Sequence, residues 1–128
     1  MPLAAELDLP SFDYTDATLR GERFQEIAER HGARSCAWGH GGDGNVHATV
    51  LVDPASEAEL DAAAAVGEEL FGLVVSLGGS IAGEHGTGWL KRGRLAAQWP
   101  ERALGLHEQI KRAFDPKGLL NPGKKLAR

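Results

Sequence analysis

Apolar residues along this chain follow two periods, helical in long segments and alternating in short ones, and together they outline the fold. Over residues 17–31, Phe24, Ile27 and Ala28 recur at helical spacing while Glu and Arg fill the other face. Gly32 stands where such a helix would end. Two short runs follow, residues 34–38 and residues 46–52, the second rich in the β-branched Val46, Thr49, Val50 and Val52. An Asp43-Gly44 turn between them predicts a β-hairpin. Ser56 and Glu59 have the spacing of a capping box, and Leu60, Ala63, Ala64, Leu70, Phe71 and Val74 continue at helical intervals to Gly78. Residues 80–82 are short and apolar, which predicts a buried strand. A short helix is expected over residues 89–99 with Lys91, Arg92 and Arg94 exposed, then a last helix opened by Pro100 and stopped at Asp115-Pro116.

The first dozen residues follow neither period and contain Pro2 and Pro10, so residues 1–15 read as an extended, irregular or truncated segment before a domain over residues 16–128. The predicted class is α+β, a small, mostly antiparallel sheet covered by helices.

Composition narrows the functional classes. With 14 basic and 18 acidic residues the chain has a formal charge of -4, which supplies no basic stripe and argues against nucleic acid as a partner. The longest uncharged stretch, residues 70–83, contains four glycines and falls short of the roughly 20 residues that span a bilayer, so no membrane span is expected. Cys36 is the single cysteine and reads as buried core, and the first ten residues carry Glu6 and Asp8, unlike a secretory signal. A reducing, cytoplasmic location is the expectation.

Glycine is the one strong bias, 17 of 128 residues, and nine of these fall in the windows 39–44 and 78–88. Both windows contain histidines. The first reads GHGGDGNVH and sets His40 and His47 on the two sides of the predicted hairpin connection; the second, AGEHGTG, adds Glu84 and His85. Directly opposed residues of a hairpin have Cβ atoms about 5 Å apart, so both imidazoles could reach one ion. Two neutral nitrogens and a hard carboxylate suit a divalent metal, and a spare histidine suits proton transfer near neutral pH. Asp43 is expected to build the turn and Asn45 to brace the loop. His31, beside a helix end, and His107, on a helix, read as structural. Neither window matches G-x-G-x-x-G or the Walker pattern.

At these residues the chain resembles the C-terminal domain of FAD-linked oxidases, the group that contains D-lactate dehydrogenase, the glycolate oxidase catalytic subunit and D-2-hydroxyglutarate dehydrogenase. GHGGDGNVH, SIAGEHGTG, LHEQIKRAF and DPKGLLNPGK, in that order between Gly39 and Lys124, carry the likeness. The resemblance implies a ferredoxin-like C-terminal fold, a divalent metal (Zn, Mn or Fe) on His40, His47 and Glu84, and His85 as the base for the hydroxyl proton of a 2-hydroxy acid. It also implies hydride transfer to FAD, with Asn121 and Lys124 near the flavin. Thr49 stands where some members carry a substrate-contacting asparagine. The family's flavin-binding domain precedes this region, and nothing here resembles its glycine-rich stretch or the strand that leads into the domain. The chain therefore reads as a piece, by itself unable to hold FAD or turn over substrate, whose partners are a flavin-binding domain or subunit and a small 2-hydroxy acid of D-lactate or glycolate type. Homo-oligomerisation stays open. The alternative from another class is a noncatalytic interaction or assembly domain, and a metal hydrolase ranks last because no H-E-x-x-H pattern occurs.

Overall fold

The computed structural model describes residues 5–9, 14–40 and 45–125, with side chains described from residue 21 onward within those ranges. It forms two compact units, Met1–Glu84 and His85–Arg128. The first unit runs β1 (Ala5–Leu9), α1 (Tyr14–Arg30), β2 (Arg34–Gly39), β3 (Val46–Leu51) and α2 (Glu57–Ser76). Its sheet is antiparallel throughout, in the order β1-β3-β2. The α+β class is as expected. This element order and strand order are the first five elements of the split βαββαβ arrangement.

Helices α1 and α2 pack on one face of the sheet and on each other. Phe24, Ile27 and Ala28 of α1, Ala48 and Val50 of β3, and Val66, Leu70 and Val74 of α2 are buried there. Both helix ends are set locally. Gly32 has φ +66, with Gly32 N–H donating to Glu29 and Ala33 N–H to Ala28; Gly78, at φ +73, repeats the pattern through Val75 and Val74. At the start of α2, Ser56 Oγ accepts from Glu59 N–H at 3.3 Å, but the Glu59 carboxylate accepts from Asp53 N–H at 2.8 Å. The capping box is thus half formed, its second bond moved three residues upstream. Glu69 ties the helices together, accepting from Arg30 at 2.5 Å and lying 3.0 Å from His31 Nε2, which gives His31 its structural role.

Four expectations are corrected. First, the segment read as lacking a leading strand forms β1, whose register aligns Ala5, Leu7 and Leu9 with Val50, Ala48 and Val46 of β3, and α1 begins at Tyr14. Five residues between prolines carry too little pattern to announce a strand; the partner β3 defines it. Second, residues 80–82 form a bend and no strand, because Ser80 Oγ accepts from Ala82 N–H and donates to Ala82 C=O, local bonds that compete with a ladder. Ile81 is still fully buried. Third, Cys36 is exposed. It shares an edge strand with Arg34 and Trp38, on the side turned away from the helices, whereas Ser35 and Ala37 are the half-buried residues. Fourth, the expected helix over residues 89–99 is a 3-10 turn, Arg92–Arg94, followed by α3 (Leu95–Gln98), and Lys91 is buried. Burial pulls the Arg94 guanidinium below its ordinary pKa.

The second unit ends in α4 (Glu101–Phe114), with Pro100 at its N-cap and Asp115 at its C-cap as expected. Asp115 Oδ1 accepts from Leu119 N–H and Oδ2 from Leu120 N–H, both at 2.9 Å, and Lys111 pairs with the same carboxylate. None of the residues of α4 is buried; Leu106, Ile110 and Phe114 are exposed, Phe114 by 83%. His107 packs edge-on against Trp99. No helix among the described residues is long and apolar enough to cross a membrane.

Candidate metal centre

Strand β3 carries His47, and its register sets His47 opposite Trp38 of β2. The sequence-level picture of His40 and His47 nearly opposed needs adjustment: His40 lies one residue past β2 and reaches His47 diagonally. The close of the hairpin makes this reach possible. His40 N–H donates to Asn45 C=O at 2.9 Å, and Gly39 sits so close that a Cβ there would stand 2.2 Å from that carbonyl oxygen. Only glycine fits. Asn45 itself is buried. Residues 41–44, including the Asp43-Gly44 turn, lie outside the described residues.

Glu84 comes from the loop after α2, which the buried Ile81 anchors three residues earlier. Three atoms then converge. His47 Nε2 lies 3.4 Å from His40 Nε2 and 3.1 Å from Glu84 Oε1, and His40 Nε2 lies 3.5 Å from the same oxygen. A divalent ion held about 2.0–2.2 Å from each of three donors, at angles between octahedral and tetrahedral, requires donors roughly 3.0–3.5 Å apart. The triangle fits that requirement without rearrangement, and its donor set suits borderline metals such as Zn, Mn or Fe. The His47 side chain is only 8% exposed whereas those of His40 and Glu84 are about half exposed, so one candidate donor is fixed in the protein and the other two reach solvent. Among the described residues the candidate donors number three, whereas structural zinc sites close four positions with protein ligands.

The other predicted residues belong to the second unit. His85 follows Glu84 directly and is exposed. Asn121 and Lys124 are exposed in a turn closed by Lys124 N–H to Asn121 C=O at 3.2 Å, with Asn121 at φ 47. They line an open groove of about 930 Å³, together with Trp89, Ile110 and Phe114. The Arg92 guanidinium lies over the Trp89 ring, 3.2 Å from its centroid, and Lys124 Nζ lies 5.2 Å from it. These residues offer cations and an aromatic wall.

Sequence reasoning missed two contributors to the centre. Gly39 was counted with its neighbours, although its lack of a Cβ is what lets the hairpin close beside His40. Trp38, given no role from the sequence, stacks on His47 with ring centroids 5.8 Å apart and planes at 23°. Counting residues in pairs back from His47 across a chosen register would have found it, but the register depends on the loop.

Comparison with known proteins agrees with the motifs. Residues 11–125 match the family model described as FAD linked oxidases, C-terminal domain. The chain is 45% identical over 102 residues to a D-lactate dehydrogenase of Archaeoglobus fulgidus and 36% identical over 103 residues to the glycolate oxidase subunit GlcD of Bacillus subtilis, each alignment covering 80% of this chain and 22% of the relative. A cytochrome D-lactate dehydrogenase of Arabidopsis thaliana mitochondria is 35% identical over 85 residues, 66% of this chain and 15% of that protein. The chain thus spans about a fifth of the length of the curated relatives it matches.

Proposed function

The chain belongs to the FAD-linked oxidases as a C-terminal domain of that family, and from this premise we propose that it is the metal- and substrate-side portion of an enzyme that oxidises a small 2-hydroxy acid, of D-lactate or glycolate type, to the 2-oxo acid. The observation that carries the reading is the convergence of His40 Nε2, His47 Nε2 and Glu84 Oε1 within 3.5 Å of one another. A divalent ion bound there would act as a Lewis acid on the carboxylate and hydroxyl oxygens of the acid. His40, His47 and Glu84 would hold that ion and leave a position for the substrate, so orientation of the α-carbon would be the main work of these residues. His85, the exposed imidazole next in the chain to Glu84, takes the hydroxyl proton on a ring nitrogen. FAD, which a flavin-binding domain or subunit outside these residues would mainly hold, would supply the acceptor for the α-hydrogen and its electron pair. Asn121 and Lys124 are assigned to the flavin side, and the single cysteine is consistent with a cytoplasmic location.

Elemental analysis of the purified chain after incubation with Zn²⁺ or Mn²⁺, with an EDTA-treated control, tests the centre. One equivalent should be retained, lost in His40→Ala, His47→Ala and Glu84→Ala, and kept in His85→Ala, which removes a base and no ligand. Retention of metal by all three ligand variants would reject the assignment. The exposed Leu106, Ile110 and Phe114 of α4 favour a second reading, a docking role with no catalytic part, in which metal binding would be absent from the wild-type chain as well.

A further inference from the structure

An exposed tryptophan beside a metal centre calls for a cause. Trp38 is 50% exposed, on an edge strand that could have carried a polar residue there at less cost. Its indole lies nearly parallel to the His47 imidazole, while His40 meets the same imidazole edge-on, at 71° and 5.4 Å between centroids. The torsion that turns a histidine ring about its Cβ–Cγ bond is broad and has no sharp staggered well. Something outside the side chain must therefore hold Nε2 toward Glu84, and the stacked indole is positioned to do so.

The same ring stands half exposed beside His47. On the sheet face turned away from the helices, β2 contributes Arg34, Cys36 and Trp38, and β3 contributes His47 and Thr49, with Cys36 opposite Thr49 in the register. The cation on this strip, Arg34, is four residues from Trp38, about 13 Å along the strand, and its guanidinium lies 3.5 Å from Glu59. Near the triangle the described side chains of β2 and β3 therefore offer an aromatic ring and no cation, and the register sets the acidic positions Asp8 and Glu6 of β1 opposite His47 and Thr49. A side chain with a second carboxylate would find no cationic partner among the described side chains there, whereas an alkyl side chain would cover the indole.

We propose that Trp38 is a positioning residue for the ligand His47 and the apolar wall that selects 2-hydroxy acids with uncharged, alkyl side chains. This rests on the metal-centre reading given above.

Titration of the full chain with Co²⁺, followed by visible absorption, separates the two ideas. Wild type should bind one Co²⁺ in a His47-dependent manner, Trp38→Ala should bind it about three- to tenfold more weakly, and Trp38→Phe, which keeps a ring on the imidazole, should stay within about twofold. Addition of 2-hydroxy-4-methylpentanoate or glycolate to the Co²⁺ form gives the second readout: wild type should prefer the alkyl acid, and Trp38→Ala should lose most of that preference. Circular dichroism checks the fold, and if the alanine variant is unfolded, Trp38→Leu, which keeps apolar volume without a π face, is judged on the same two measurements. Co²⁺ affinity and acid preference both unchanged in Trp38→Ala overturn the role of Trp38 while leaving the centre intact. Co²⁺ binding that is absent from wild type, or indifferent to His47→Ala, overturns the centre and this role together.

Discussion

Replacing Gly39 by alanine tests how the hairpin builds the centre. The added Cβ would lie 2.2 Å from Asn45 O, 3.1 Å from Val46 Cα and 3.2 Å from the Asn45 carbonyl carbon. All three are backbone atoms, so no side chain can swing aside. Relief requires the strands to part by about 1 Å at this point, which stretches the 2.9 Å bond from His40 N–H to Asn45 C=O beyond hydrogen-bonding range. That bond is worth about 1 kcal/mol net, and overpacking adds about 1–3 kcal/mol, for a loss of roughly 2–4 kcal/mol. In a domain of this size such a loss lowers Tm by roughly 8–15 °C. Metal sites tolerate only about 0.2 Å of error in a ligand distance, so moving His40 by about 1 Å should also weaken Zn²⁺ or Co²⁺ binding by at least about tenfold. Gly72, exposed in α2 with nothing within 4 Å of its virtual Cβ, is the control. Its change to alanine should be neutral or stabilise by up to about 1 kcal/mol. Differential scanning calorimetry and metal titration of both variants give the answer, and a Gly39→Ala protein with wild-type Tm and wild-type metal affinity would refute the close-approach reasoning.

Further consequences concern the core, the second unit and the edge strand. Phe24→Ala removes a fully buried ring from the α1 contact with the sheet and should cost about 3–5 kcal/mol by urea denaturation; a loss below about 1 kcal/mol would mean that the core lies elsewhere. The Lys111 ammonium bonded to Asp115, with the Leu120 and Leu119 amides, holds that carboxyl below its ordinary range, against the opposing effect of burial. A lowered folded-state pKa contributes stability that is present above the ordinary carboxylate value and lost as pH falls through the lowered one. Protection of the Leu119 and Leu120 amides against hydrogen exchange should thus fall on acidification below about pH 4, and Asp115→Asn should weaken it at neutral pH and remove most of that pH dependence. Cys36, exposed on β2, should react with one equivalent of Ellman's reagent in the native protein; a thiol that reacts only after denaturation would contradict its position on the open face.

Sequence alone determined the three long helices and the donor set. The period of α2, its Ser56 cap and Gly78 stop, the stops of α1 and α4, and the identity of His40, His47 and Glu84 as metal-type donors were all legible, because capping, turn chemistry and ligand preference act within a few residues. Tertiary structure decided what depends on a distant partner: β1 exists through its pairing with β3, Cys36 and Trp38 turn outward because β2 is an edge strand whose helices lie on the other face, and the three donors meet because Gly39 lets the hairpin close next to a loop pinned by Ile81. Strand pairing and side-chain convergence are contacts between residues far apart in the chain, and their geometry follows from how the elements pack, which no local pattern encodes.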